Sequence, residues 1–167
     1  MNADQLRALQ NPLKTKYRAD PSTAHGTLRA TGKLNVERLT CTVPTFAGPA
    51  EAGLHPATGG DGKAACSGDM LLESLVACAG VTLSAVATAM GIALRGGTVT
   101  AEGDLDFRGT LGVSKEAPVG FQAIRLSFNL DTDATPEQRA TLLKLTKRSC
   151  VVYQTLEKSP RLEVAIL

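Results

Sequence analysis

The chain has 167 residues, a length typical of one domain, and its 43% hydrophobic and 20% charged residues are ordinary for a globular protein. Eighteen Lys and Arg residues against sixteen Asp and Glu residues give a formal charge of +2, with four Phe, two Tyr and no Trp. Nucleic-acid-binding proteins carry a clustered basic excess and often stack bases on aromatic side chains, so this composition argues against that class. We expect a single domain over residues 1–167.

The first ten residues, MNADQLRALQ, lack a basic segment followed by an apolar core, so the sequence predicts no secretory signal and a cytoplasmic protein. Thiols are kept reduced in that compartment, and the four cysteines are therefore expected to be free. They are Cys41, Cys66, Cys78 and Cys150. No two of them have the C-x-x-C spacing, and neither His25 nor His55 lies close to one in sequence, so we expect no metal or other cofactor.

The first third of the chain contains short strand-like runs followed by a stretch rich in glycine and proline. The runs predicted as strands are Leu13–Arg18, Thr27–Leu34 and Arg38–Val43, with turns between them. The stretch Thr45–Ser67 is predicted to be a loop. Because it is longer than a simple connector, it is expected to serve binding or a subunit contact.

The segment Leu75–Leu94 holds twenty residues without a charge, which is the length of a membrane span. Eleven of the twenty are Ala, Gly, Ser or Thr, which drive membrane insertion poorly. The segment is therefore predicted to be a helix buried on all sides of a globular core, with no membrane partner. The pair Gly96-Gly97 is expected to end the helical pattern.

The second half of the chain predicts two strands, two helices and a last strand. Alternating apolar residues favour strands over Thr98–Arg108 and around Ile124–Leu130, paired in an antiparallel way. Thr135 and Pro136 are typical of a helix start, and Ser149 is expected to cap a second helix from Cys150 to about Lys158. Arg161–Leu167 resembles a final strand. The order of elements predicts an α+β fold, with antiparallel sheets around a long buried helix.

Two of the cysteines are candidates for chemistry. Cys78 lies within the apolar helix, where helical spacing gives it Ser74, Leu75, Val81 and Thr82 as same-face neighbours. Cys150 lies at a predicted helix start beside Lys147 and Arg148, which together predict a lowered thiol pKa. The residues alone leave a second interpretation open for both, namely that each thiol simply fills space in the core.

The runs GDMLLESLVACAGVTLSAVA (residues 68–87) and CVVYQTL (residues 150–156) resemble the two cysteine motifs of the OsmC/Ohr family. That family contains osmotically inducible protein C and the organic hydroperoxide resistance proteins. The resemblance implies an OsmC-like α+β fold and an intertwined homodimer with two sites at the subunit interface. It also implies a cofactor-free, thiol-dependent peroxidase that reduces organic hydroperoxides and is reset by an external thiol or dithiol.

The resemblance also implies roles for single residues. Cys78 becomes the peroxidatic thiol and Cys150 the resolving thiol. Because an apolar setting raises a thiol pKa, a cation is expected beside Cys78, and Arg18 matches the family's arginine best, with Arg29 second. Asp69 takes the place of the family's acid. Nine residues of one straight helix rise about 13.5 Å, so Asp69 of the same chain would not reach the Cys78 sulfur. Asp69 is therefore expected to act across a dimer interface, to act within its chain through an irregular helix, or only to cap the helix with Ser67.

Several features depart from the family pattern or have no counterpart in it. Gly68 stands where the family usually has proline, and Cys150 is followed by Val151 where the family has proline. An alternative function is therefore a non-enzymatic protein of the same fold that binds an apolar ligand at the dimer interface. Cys66 is expected to be an exposed thiol without a role in the reaction, and Cys41 is expected to be a core residue. His55 lacks a partner motif that would make it catalytic.

Overall fold

The structure, a computed structural model, describes residues 1–166. The elements, in chain order, are α1 (Ala3–Ala19), β1 (Lys33–Asn35), β2 (Thr40–Thr45), β3 (Gly48–Gly53), β4 (Ala65–Cys66), α2 (Ser67–Met90), β5 (Gly96–Leu105), α3 (Phe107–Thr110), β6 (Phe121–Asp131), α4 (Pro136–Ser149) and α5 (Val151–Glu157). Short 3₁₀ turns occupy Pro21–Ala24 and Pro56–Thr58. The predicted α+β class with antiparallel sheets and a long central helix is confirmed.

The chain divides into two compact units. The first comprises Met1–Thr23, Ser74–Thr100 and the chain from Ser127 onward, and the second comprises Ala24–Glu73 and Ala101–Leu126. The division passes through α2, β5 and β6, each of which contributes residues to both units.

The second unit is built on a four-stranded sheet in the order β1-β2-β3-β4. The first two pairs are antiparallel, with Leu34 opposite Cys41 and Cys41 opposite Ala52, while β3 and β4 run parallel. The predicted strand Arg38–Val43 is thereby confirmed as β2, and the turn that follows Asn35 joins it to β1. Cys41 lies in β2, as predicted, but it is half-buried and does not belong to the buried core that the sequence predicted for it.

The first unit has a small apolar core where α2 meets α4. Leu83, Ala87, Ile92 and Leu142 are buried there, and Phe128 and Leu130 of β6 pack against them. The helix start predicted at Thr135 is confirmed, because the Thr135 hydroxyl accepts from the Gln138 N–H at 3.2 Å and the Gln138 side chain accepts from the Thr135 N–H at 2.9 Å. This capping box fixes where α4 begins. Cys150 directly follows the last residue of α4, so the position of this helix also sets the position of Cys150.

The strand predicted at Leu13–Arg18 is wrong, because these residues belong to α1. Asn2 caps that helix in a reciprocal box with Gln5, and Leu6, Leu9, Leu13 and Tyr17 follow at helical spacing. A cap and a 3.6-residue period over seventeen residues outweigh six residues of weak alternation. Arg18 is therefore an exposed position near the end of a helix and does not end a strand.

The predicted strand at Thr27–Leu34 and the predicted loop at Thr45–Ser67 are only partly right. Only Lys33–Asn35 forms a strand in the first region, and the second contains β3 and β4. The run GPAEAG of β3 has no β-branched residue, so its strand conformation follows from pairing with β2 and not from its own propensity. Because glycine and proline are typical of loops, sequence patterns do not reveal a strand of this kind.

The long apolar helix is confirmed as α2, but it is not buried on all sides. Leu75, Ala79, Leu83 and Ala87 form one buried stripe, whereas Val81 on another face is 73% exposed. The helix ends at Met90, before Gly96-Gly97, because Gly91 adopts a left-handed conformation with φ of +69°. By length and composition α2 could cross a membrane.

The end of the chain also differs from the sequence prediction. Cys150, not Ser149, caps α5, since Ser149 is the last residue of α4. No strand forms over Arg161–Ile166, and Leu167, the last residue of the predicted strand, lies outside the described residues. Leu162, Val164 and Ile166 are between 80% and 102% exposed, so the alternation that predicted a strand here has no sheet to join within residues 1–166.

Candidate functional site

The junction of α4 and α5 in the first unit places Cys150 next to Cys78 of α2. Cys150 ends α4 and begins α5 with an extended backbone (φ −76°, ψ 112°), so the chain turns sharply at this residue. The Cys150 thiol donates a hydrogen bond to the Cys78 sulfur, and the two Sγ atoms are 3.3 Å apart. Both thiols are free, and they are 72 residues apart in the sequence.

The geometry of the junction explains most of the CVVYQTL motif. The Cys150 sulfur accepts the Tyr153 N–H at 3.4 Å, which is the capping bond of α5. The Gln154 side chain reaches back across the turn and donates to the Lys147 carbonyl of α4 at 3.0 Å. Gln154 therefore bridges the two helices and holds the angle at which Cys150 meets Cys78.

The environment of Cys78 favours its thiolate. Burial by itself raises the thiol pKa, but hydrogen bonds from the Val152 N–H, the Cys150 thiol, the Val151 N–H and the Thr82 hydroxyl outweigh it, so the pKa of Cys78 lies below the usual cysteine range. The predicted effect of burial on this pKa is confirmed, since burial raises it. Backbone N–H groups at the start of α5 offset that effect, whereas the sequence predicted a cation for this role, and the cation stays a prediction.

Cys150 shows the opposite behaviour. Burial raises its thiol pKa, and the neighbouring Cys78 sulfur raises it further, while the Tyr153 N–H acts against both. The residue is only 1% exposed. The lowered pKa predicted from Lys147 and Arg148 is therefore wrong. The thiolate is therefore favoured on Cys78, and the Cys150 thiol donates a hydrogen bond to it. A nucleophilic cysteine needs a lowered pKa of this kind, whereas a resolving thiol does not.

Arg18, Arg29 and Asp69, the charged residues predicted for the site, are all exposed. Arg18 is exposed on α1, and among residues 1–166 it makes no ion pair. Arg29 is exposed in the irregular segment of the second unit that precedes β1. Asp69 lies in the first turn of α2, exposed and in the second unit. Because α2 is continuous from Ser67, nine helical residues separate Asp69 from Cys78.

Sequence reasoning missed the residues that tune the thiols. Thr82 was named only as a neighbour of Cys78, although its position four residues later on the same helix brings its hydroxyl within reach of the sulfur. The motif contains Gln154 but does not indicate that its side chain bridges α4 and α5. The N–H groups of Val151 and Val152 carry no side-chain signal, and only the turn at Cys150 makes them available.

In the second unit, His55 and Cys66 line a groove. The His55 ring stacks on Phe107 at 4.9 Å, and its Nδ1 accepts the Ala57 N–H at 3.0 Å. The stacking packs His55 against α3, and the hydrogen bond caps the 3₁₀ turn at Pro56–Thr58, so both interactions are structural. Within residues 1–166, no group of three or more His, Cys, Asp or Glu side chains is placed to hold a metal ion.

The lowered pKa of Cys78 predicts how its reactivity depends on pH. We expect alkylation of Cys78 by iodoacetamide to follow a titration with a midpoint below 9.0, the ordinary cysteine value. Because only the thiolate reacts, the alkylation rate falls as the pH drops through the lowered pKa and Cys78 becomes protonated. The same ionisation stabilises the fold above the unfolded-state pKa, and this contribution is lost as pH falls through the folded-state value.

The measurement is mass-spectrometric alkylation of Cys78 from pH 5 to 10, with glutathione in the same samples as an internal control. A Cys78 midpoint equal to that of glutathione, or above it, would contradict the hydrogen-bond account of this site.

A sequence model of the family described as OsmC-like protein matches residues 60–165, which is more than half of the chain. No curated protein matches the sequence.

Solved structures share the fold. An OsmC-like protein from Mycoplasma pneumoniae is 16% identical, with a TM-score of 0.67 over 80% of this chain and 89% of its own. An organic hydroperoxide resistance protein from Elizabethkingia anophelis is 17% identical, with a TM-score of 0.63 over 80% of this chain and 91% of its own. A third, from Legionella pneumophila and also described as an organic hydroperoxide resistance protein, is 18% identical with a TM-score of 0.57 over 80% and 93%.

Proposed function

We propose that this chain, which belongs to the OsmC-like protein family, is a thiol-dependent peroxidase that reduces organic hydroperoxides through Cys78 and Cys150. The observation that carries the proposal is the 3.3 Å separation of the two sulfurs, combined with pKa shifts in opposite directions. Some solved structures with this fold are described as organic hydroperoxide resistance proteins, which supports the same chemistry.

The reaction has three steps. The Cys78 thiolate attacks the terminal oxygen of the hydroperoxide, the O–O bond breaks, and an alcohol leaves after taking up a proton, so Cys78 becomes a sulfenic acid. The Cys150 thiol then condenses with the sulfenic acid, which releases water and forms a Cys78–Cys150 disulfide. An external thiol or dithiol supplies two electrons and two protons to restore both thiols.

The proposal extends to a homodimer in the cytoplasm. Members of the family are typically dimeric, and one face of α2, with Val81 73% exposed, leaves apolar surface that a second copy would cover. We assign the cation beside the reacting oxygen to Arg18 and its acidic partner to Asp69. Both are exposed and without an ion pair in the described part of the chain, which suits a role across a dimer interface.

A titration of the reduced protein with cumene hydroperoxide tests the proposal. We expect one equivalent of peroxide to remove two thiols per chain and to give one disulfide, mapped by mass spectrometry to Cys78 and Cys150. The matched control is the double variant Cys41→Ser and Cys66→Ser, which keeps the reacting pair and is expected to titrate identically.

Two outcomes would contradict a peroxidase. One is a titration without thiol loss, and the other is a disulfide that involves Cys41 or Cys66. Binding of the hydroperoxide that survives replacement of both Cys78 and Cys150, without turnover in the parent, would favour the apolar-ligand-binding alternative.

A further inference from the structure

A cavity of about 430 Å³ opens at the junction that carries Cys150. Its wall consists of Arg148, Ser149, Cys150, Val151, Gln154, Thr155, Lys158 and Pro160, all in the first unit. Arg148 comes from the last turn of α4 and Lys158 directly follows α5, so the turn at Cys150 brings two cations to one opening. Cys150 is almost fully buried, and this cavity is the open space whose wall it forms.

The wall of this cavity carries positive charge, and the nearby Glu157 accepts a hydrogen bond from the wall residue Gln154 at 3.1 Å without itself lining the cavity. No acidic side chain contributes to its wall. Neither Arg148 nor Lys158 has an ion pair within the 166 residues that the structure describes, whereas the adjacent Lys147 is engaged 5.2 Å above the Tyr153 ring. Two cations at one concave surface create a positive potential that raises the local concentration of anions.

We propose that this cavity is where the reductant docks, and that the reductant is a thiol whose negatively charged group is held between Arg148 and Lys158. This inference rests on the proposed function, because it presupposes a Cys78–Cys150 disulfide that has to be reduced.

The position of the cavity also selects which sulfur is attacked. The reductant thiolate approaches Cys150 and forms a bond to its Sγ, the Cys78–Cys150 bond breaks, and the electron pair leaves on Cys78. Hydrogen bonds from the Val152 and Val151 N–H groups stabilise the departing thiolate, and thiol–disulfide exchange is faster when the leaving sulfur is the more stable thiolate. A second reductant thiolate then attacks the first at the mixed disulfide, which releases Cys150 to take up a proton and leaves the reductant as its own disulfide.

Three small thiols of different charge test the inference: thioglycolate (anionic), 2-mercaptoethanol (neutral) and cysteamine (cationic). The protein disulfide is formed beforehand with diamide and mapped, so the experiment does not depend on peroxidase activity. Each reduction rate is divided by the thiolate concentration and by the rate of the same thiol with the uncharged 2-hydroxyethyl disulfide. We expect the corrected rate for thioglycolate to exceed that for cysteamine by about tenfold at low salt, with the preference shrinking in 0.5 M NaCl.

Charge-neutral variants locate the effect. The double variant Arg148→Gln and Lys158→Gln is expected to bring the thioglycolate-to-cysteamine ratio close to one. The control Lys144→Gln removes a cation from α4 that does not line the cavity, and it is expected to keep the preference of the parent. Thermal unfolding of each variant confirms that the junction is still folded.

A parent protein without charge preference, or a double variant that retains it, would overturn the inference and leave the peroxidase proposal intact. Failure of the proposed function has a different signature. In that case cumene hydroperoxide forms no Cys78–Cys150 disulfide, while the disulfide made with diamide still prefers the anionic thiol.

Discussion

Replacing Cys78 with serine is expected to abolish turnover of cumene hydroperoxide in the presence of dithiothreitol. The serine hydroxyl is not ionised at neutral pH and cannot attack the O–O bond. The remaining thiol, Cys150, is a poor replacement because burial raises its pKa. Removing a nucleophile of this kind typically lowers the catalysed rate by about a thousandfold or more, which brings it to the uncatalysed background rate. The measurement is the initial rate of hydroperoxide loss.

The control for this variant is Cys66→Ser, which removes a thiol from the second unit and is expected to keep the parent rate. Circular dichroism of both variants establishes that the helices are intact. A Cys78→Ser protein that consumes hydroperoxide as fast as the parent would end the assignment of Cys78 as the nucleophile.

Replacing Cys150 with serine is expected to separate the first step from the second. The serine hydroxyl can still donate to the Cys78 sulfur and accept the Tyr153 N–H, so the thiolate and the cap of α5 both remain. One equivalent of hydroperoxide is therefore still reduced, but Cys78 stays a sulfenic acid. Steady-state turnover is expected to fall by about a hundredfold or more, and dimedone labelling of Cys78 detects the trapped species.

Cys150→Ala is the matched variant, because it removes the donor as well as the resolving sulfur. Its Cys78 alkylation midpoint is expected to lie above that of Cys150→Ser, and loss of the cap should destabilise α5 by about 1 kcal/mol. Equal midpoints in the two variants would show that the Cys150 hydrogen bond does not influence Cys78. Undiminished turnover in Cys150→Ser would show that Cys150 is not the resolving thiol.

The predictions that held have strong local signals. Thr135 and Pro136 mark the start of α4 by cap chemistry, and the small-residue helix α2 is long and apolar. β5 and β6 alternate between exposed and half-buried residues from the third residue of each strand to its end. The predictions that failed depended on weak or competing signals. β3 is a strand because β2 pairs with it, and Leu13–Arg18 lies in a helix because the capping box begins eleven residues earlier.

The candidate site was only half predictable. The two cysteines were identified from the motifs that contain them, and the structure brings them together. The pKa directions were not predictable, since the dominant hydrogen bonds come from the N–H groups of Val151 and Val152 and depend on the backbone turn at Cys150. Lys147 and Arg148 lie close to Cys150 in sequence and predicted a lowered pKa for its thiol. The pKa is raised instead, because burial of Cys150 dominates.

The short distance between the sulfurs has a consequence for what the molecule can signal. A disulfide bond is about 2.0 Å long, so the two Sγ atoms must approach by little more than 1 Å, a displacement that side-chain rotation alone provides. Neither the cap of α5 nor the hydrogen bond of Gln154 has to break for this to happen. The α4–α5 junction therefore keeps the same backbone in the oxidised and reduced states. The thiol pair is suited to repeated turnover and not to signalling oxidation through a conformational change of this junction.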